Sequence, residues 1–224
     1  MAINKVAGHR ARMRERFLTQ NIAHLDDYEI IEMLLSLAQP RKDVKPIAKD
    51  LMNTFRSFDA ALGAHASQLQ AVKGMGKTSI TMFKVIHEAM CRILRNELKQ
   101  RPLLNSGQKV LEYCKLSMAY LSLEQTRILY LNRKNYLICD EIQTGTVDQT
   151  PIYPREIMKR CLELGASAII VVHNHPSGDP SPSREDIYIT KQIQKIGTLM
   201  GIDLHDHIIV SKYQSISLKA EGLL

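Results

Sequence analysis

Two histidines, His173 and His175, follow directly on the apolar run AIIVV, and a carboxylate, Asp186, comes eleven residues after the second. Alternate side chains of an extended chain point the same way, so both imidazoles face one side. That makes a pair of nitrogen donors suited to a metal. Asp186 lies beyond a loop rich in Pro, Ser and Gly, at the start of a helix, from where its carboxylate could return as a third ligand. Two His and one carboxylate suit zinc, and three protein ligands leave the fourth tetrahedral position to water, the mark of a catalytic site. Zinc in such a site lowers the pKa of that water and polarises a carbonyl oxygen. Ser183, three residues before Asp186, also reads as the start of a capping box that opens the same helix. On spacing alone the two roles for Asp186 stand level.

A second HxH pair, His205 and His207 around Asp206, lies in LHDHIIVS with no third ligand at a useful spacing. It reads as core, or as support that orients the first pair.

The arrangement HxH, seven residues, Ser, two residues, Asp is met by His173, His175, Ser183 and Asp186, and it resembles the signature of JAMM (MPN+) metallopeptidases. The longer string HNHPSGDPSPSREDI, with PREI upstream and DHIIV downstream, resembles the RadC-type branch of that family, and the likeness extends over essentially all 224 residues. The resemblance implies an α/β metallopeptidase domain, JAMM/MPN-like with a three-layer, cytidine-deaminase-like build, preceded by a small all-α domain of helix-hairpin-helix type. It implies zinc on His173, His175 and Asp186, with Ser183 hydrogen-bonding the polarised intermediate of peptide or isopeptide hydrolysis. It also implies an upstream glutamate as general base, which must reach the attacking water. In the family that residue lies just after the first helix of the domain and leads into its first central strand. Glu124, in LSLEQTRILYL, occupies that place, and Glu141, in CDEIQTGT on the next strand, is the other candidate. Eukaryotic deubiquitinating members usually carry Ser or Thr between the two histidines, whereas Asn174 stands here. The metal therefore carries over more readily than the substrate.

The elements that must position these residues follow from periodicity. Helical spacing recurs from Asp27 to Met90, as in Ile30, Ile31, Leu34, Leu35 and later Ile47, Leu51, Phe55, so the first part is all-helical. LKQRPLLNS, near residues 98 to 106, offers a linker. A helix from about Gly107 to Leu121 precedes TRILYL and YLICDEIQT, which flank Asn132-Arg133-Lys134-Asn135 as a hairpin. Pro154 to Leu164 forms a helix stopped by Gly165, and ASAIIVV a short buried strand. Ile189, Ile193, Ile196 and Met200 line one face of a helix, and LHDHIIVS and YQSISL supply closing strands. The second part is mixed α and β. We place the domains at 1–101 and 102–224.

Hydrophobic residues at 45% and charged residues at 24% exclude a largely disordered chain. No apolar run reaches the roughly 18 to 20 residues of a membrane span, and MAINKVAGHRARMRERF lacks the apolar core of a secretion signal. Four scattered cysteines without a CxxC pair read as buried thiols in a reducing cytoplasm, not a disulfide framework. The expectation is a cytoplasmic protein with no membrane partner.

The net charge of +7 is unevenly spread, because residues 1–101 hold 17 Lys or Arg against 10 Asp or Glu, and the remainder holds 13 against 13. A basic module beside a neutral one suits contact with a polyanion, although a basic surface also simply aids solubility. Within it, VKGMGKT resembles a helix-hairpin-helix element, whose glycine turn lets backbone N–H groups approach a nucleic-acid phosphate. Gly74 and Gly76 would make the turn, with Lys73 and Lys77 as phosphate contacts, so DNA is a candidate partner of residues 1–101. The competing reading is an ordinary two-helix corner that needs glycine for its φ angles. GMGKTS is not a Walker loop, since Ala71 stands where that pattern needs glycine and the preceding stretch is helical. HNH at 173–175 is likewise not an HNH nuclease, whose residues come from well-separated positions.

Overall fold

The computed structural model describes residues 2–19, 24–103, 107–143 and 153–224, and the backbone alone for residues 2–7. The chain divides into two compact units, 1–88 and 89–224. The sequence places that division at 101/102. The difference has a packing reason: Cys91 and Leu98, in the last turns of the long helix before the linker, are buried in one cluster with Leu103, Val110 and Cys114 of the second unit. The end of the expected linker, 104–106, lies outside the described residues.

The first unit is helical, with α1 (Ala2–Thr19), α2 (Asp27–Ala38), α3 (Lys45–Phe55), α4 (Phe58–Gly63), α5 (Ala66–Ala71) and the start of α6 (Lys77–Lys99). Ile31, Leu35, Ile47, Leu51 and Phe55 are buried, on the stripe that their spacing marks out. Among the described side chains of α1, Met13 is the one buried, and polar contacts tie the helix to α2: His9 to the buried Glu32 and Arg16 to Glu29, each at 2.8 Å.

The second unit runs α7 (Gly107–Met118), β1 (Thr126–Leu131), β2 (Leu137–Gln143), α8 (Pro154–Leu164), β3 (Ala168–Asn174), α9 (Arg184–Met200), β4 (Asp203–Val210) and β5 (Ser215–Ser217). One sheet has the order β2-β1-β3-β4-β5, parallel only between β3 and β4 and antiparallel elsewhere. Strand β3 is central and all seven of its residues are buried, hence an unbroken apolar run rather than an alternating one. Each such fully buried aliphatic side chain contributes roughly 1.5–3 kcal/mol. Ile170, Val172 and Leu129 pack against Val110 and Cys114 of α7. Ile169, Val171 and Ile128 pack on the other face against Ile157 and Cys161 of α8 and Ile193 of α9. Helices thus cover both faces of the sheet.

Local chemistry sets the connections. Gly165 (φ 63°) and Gly201 (φ 69°) end α8 and α9 in the left-handed region. In the β1–β2 hairpin Asn135 takes φ 62°, and Asn132 Oδ1 accepts from the N–H groups of Lys134 and Tyr136. The parallel β3–β4 pair requires a crossover, which α9 supplies. Among the described residues, no helix is long and apolar enough to cross a membrane.

Candidate functional site

The site lies at the carboxyl end of β3, beside the N-terminus of the crossover helix α9. His173 is 1% exposed and shares the sheet face of Ile169 and Val171, which is the face covered by α9. Its Nε2 lies 2.9 Å from Nε2 of His175 and 3.3 Å from Asp186 Oδ1, while Asp186 Oδ2 lies 3.7 Å from His175 Nε2. Tetrahedral zinc at bond lengths near 2.1 Å spaces its ligand atoms by about 3.4 Å. The three side chains singled out from spacing converge, the two ring nitrogens standing closer together than that spacing.

Both roles of Asp186 coexist. Ser183 is the N-cap of α9 and accepts from the Asp186 N–H at 3.0 Å, completing a capping box. The Ser183 N–H and hydroxyl donate to Asp186 Oδ2 at 2.7 and 2.6 Å. The cap thus fixes the carboxylate and turns Oδ1 toward His173.

Hydrogen-bond partners that can only accept fix the ring tautomers. The Thr190 hydroxyl donates to the Asp186 carbonyl at 2.5 Å, so Oγ1 accepts from His207 Nδ1–H at 2.5 Å. Neutral His207 then accepts at Nε2 from His173 Nδ1–H, at 2.8 Å. His175 Nδ1 faces the Asp179 carbonyl at 2.8 Å and must carry its proton there. Both Nε2 atoms consequently present lone pairs to each other and to a carboxylate. Such an arrangement is repulsive unless a cation lies among the three groups, so the donor set fits a metal. Burial holds the His173 pKa down to about 4, against the pull of Asp186, and burial likewise lowers that of His207 far below its ordinary value.

Glu124 joins this group, its carboxylate lying within 4.8 Å of the ring nitrogens of His173 and His175. Register explains the approach. Thr126 pairs with His173 at the end of the ladder and the Asn174 N–H donates to the Gln125 carbonyl just beyond it, which brings the chain at Glu124 alongside His175. Burial raises the pKa of Glu124; nearby His175 opposes the rise and the Asp186 charge adds to it. Glu141, the other candidate, accepts from Arg160 on α8, which together with a Cys139 hydrogen bond lowers its pKa, although burial works against them.

The second HxH pair divides. Between Ile169 and Ile170 the β3–β4 register skips His205, a bulge that breaks the alternation of β4. His207 faces His173, whereas His205 turns to Asn135 Oδ1 at 2.6 Å and lines a cavity of about 440 Å³ with Asp206 and Ile208. Asp206 accepts from Ser217 and from the N–H groups of His207 and Lys219. Sequence reasoning missed Thr190 and Asn174. The signal for Thr190 was its place one turn beyond Asp186.

In the first unit, Lys73, Gly74 and Gly76 lie in the turn between α5 and α6 and Lys77 opens α6, so a helix precedes the glycines. Gly74 takes φ 96°, and a Cβ there would meet Ile47 Cδ1 at 2.7 Å. Gly76 has an ordinary φ and open space around it, and both lysines are exposed.

Comparison with known proteins agrees with this picture. Residues 104–223 match the RadC-like JAB domain and residues 5–81 match the UPF0758 N-terminal family. The chain belongs to the RadC-like JAB-domain (UPF0758) family. A UPF0758 protein of Rhodobacter capsulatus is 48% identical over 213 residues, spanning 95% of this chain and 100% of its own. Another, from Ruegeria pomeroyi, is 47% identical over 220 residues, 98% of each chain. Both family matches thus fall on parts described above, the JAB-domain match taking in β1 through β5 and every member of the site.

Proposed function

We propose that this RadC-family protein is a zinc-dependent hydrolase of peptide or isopeptide bonds, with zinc held by His173, His175 and Asp186. The observation that carries this reading is the pair of Nε2 lone pairs facing each other at 2.9 Å beside the Asp186 carboxylate. Bound zinc supplies Lewis-acid polarisation of the scissile carbonyl and lowers the pKa of water. Glu124 takes a proton from the attacking water as its oxygen bonds to the carbonyl carbon, then returns it to the amine as the C–N bond breaks. Its raised pKa makes it a stronger base than an ordinary carboxylate, which suits a group that accepts a proton and gives it back. Ser183 donates to the oxyanion once its hydroxyl turns from Asp186 Oδ2. The two covered sheet faces support the three-layer, cytidine-deaminase-like description of the domain.

The test is zinc-loaded protein with mixed linear and isopeptide-linked peptides in heavy-oxygen water. One heavy oxygen should enter each new carboxyl group. Glu124→Gln should retain zinc and lose about 100- to 10 000-fold in rate. Equal rates in wild type and Glu124→Gln would remove Glu124 from this role, and intact peptides throughout would contradict the peptidase reading.

One observation favours a second reading, a DNA-associated accessory role in repair or recombination. The corner explanation accounts for Gly74 but not for Gly76, whose φ and surroundings accept a side chain. A bare glycine between exposed lysines suits close approach of a phosphate. A salt titration of binding to double- and single-stranded DNA tests it: Lys73→Ala and Lys77→Ala should each weaken binding and lower the salt slope by roughly 1. An unchanged slope would contradict it.

A further inference from the structure

Asn174 stands between the two histidines, and strand alternation sends its side chain to the opposite face of the sheet, where it is fully buried. There its carboxamide meets the chain on both sides of Glu124. Oδ1 accepts from the Gln125 N–H at 2.8 Å and Nδ2 donates to the Leu123 carbonyl at 3.1 Å. The Asn174 N–H adds a third hydrogen bond, to the Gln125 carbonyl at 3.3 Å.

We propose that Asn174 is the positioning residue for Glu124, clamping residues 123–125 so that the carboxylate is presented alongside His175. The argument rests on chemistry that few side chains offer. Leu123 and Gln125 lie just before β1 begins at Thr126, where a short segment would otherwise be free to fray from the ladder. Holding it requires an acceptor for one backbone N–H and a donor for one carbonyl at the same time, on one rigid plane. A carboxamide has both. An aspartate could only accept and would face the Leu123 carbonyl with charge, and leucine, of similar shape, would make neither bond. Because Asn174 itself is fully buried, its carboxamide has no water to turn to and is committed to these two partners. Ligand and clamp are also neighbours in sequence: His173 and His175 project on one face while Asn174 ties down Glu124 on the other, so one short segment sets donors and base together.

This inference rests on Glu124 acting at the metal. The experiment therefore uses two readouts, neither of them turnover, on zinc- or cobalt-loaded full-length protein. The first is hydrogen exchange of the Gln125 amide, which Asn174→Leu should speed by on the order of tenfold while the rest of β1 keeps its protection. The second is the visible spectrum of cobalt-loaded protein. Glu124→Gln should alter it, Asn174→Leu should reproduce that alteration, and the double variant should add nothing further. A Gln125 amide that exchanges as in wild type, or a cobalt spectrum of Asn174→Leu identical to wild type beside an altered Glu124→Gln, would overturn the positioning role. If Glu124→Gln itself leaves the spectrum unchanged while Asn174→Leu speeds Gln125 exchange, the clamp stands as structure and the reading of Glu124 fails. Asn174→Asp, which keeps the Gln125 bond, serves if the leucine variant does not fold, and should release the Leu123 carbonyl and alter the spectrum without speeding Gln125 exchange.

Discussion

Thr190 bonds to the Asp186 carbonyl and to His207, not to His173, yet its one hydroxyl proton decides which nitrogen of His173 is free. Given to the Asp186 carbonyl, that proton forces His207 and then His173 into the tautomers that leave Nε2 bare. Thr190→Val keeps the shape and removes this polarity. It should weaken zinc binding by roughly 10- to 100-fold, measured by competition with a chromophoric chelator. Affinity equal to wild type would mean that the relay does not orient His173. The convergence of His173, His175 and Asp186 was legible in the sequence because alternation and a helix start are local rules, and the three lie within one short segment. Asn174 was not legible as a clamp, since its partners lie about 50 residues upstream and meet it only through the β1–β3 register.

Helix α9 links the site to the sheet at both of its ends. At the first, Ser183→Ala removes the N-cap, at a cost of about 1 kcal/mol in denaturant unfolding of the chelated protein. The same variant removes one of the two hydrogen bonds that Ser183 gives Asp186 Oδ2, so zinc affinity should fall with stability; a loss of stability alone would separate the cap from the carboxylate's role. At the other end Gly197 accepts from the Ile202 N–H at 2.8 Å, and a Cβ on Gly197 would meet the Ile202 carbonyl oxygen at 2.5 Å. Backbone cannot yield there as a side chain can, so Gly197→Ala should cost roughly 1–3 kcal/mol, read from urea midpoints. Elements with an apolar period, such as α3, or an unbroken apolar run, such as β3, were readable from the sequence. Helix α1 was not, because its described contacts to α2, His9–Glu32 and Arg16–Glu29, are polar pairings between distant positions that no local period marks. The bulge at His205 was equally hidden, and it alone separates two histidines that alternation would have put together.

For the whole molecule, three histidines share one sign of linkage. Burial lowers the pKa values of His173, His205 and His207, with Asp203 opposing at His205. Each is neutral in the fold and takes up a proton on unfolding below its ordinary value near 6.5. The unfolded state then binds more protons, so stability of the metal-free protein is complete above about pH 6.5 and declines as pH falls toward 4. Urea unfolding with chelator between pH 8 and pH 5 should show that slope, reduced in His205→Gln; a flat profile would contradict neutral burial. Charge divides at the same scale, with the excess of basic residues all within 1–101, a feature visible in the sequence because it is a count.

Zinc content of the purified full-length protein, by elemental analysis, tests the central claim most directly. The account predicts close to one zinc per chain in wild type and in Glu124→Gln, and loss of that zinc in both His173→Ala and Asp186→Ala. A wild type that holds no zinc and takes up none on reconstitution would contradict it.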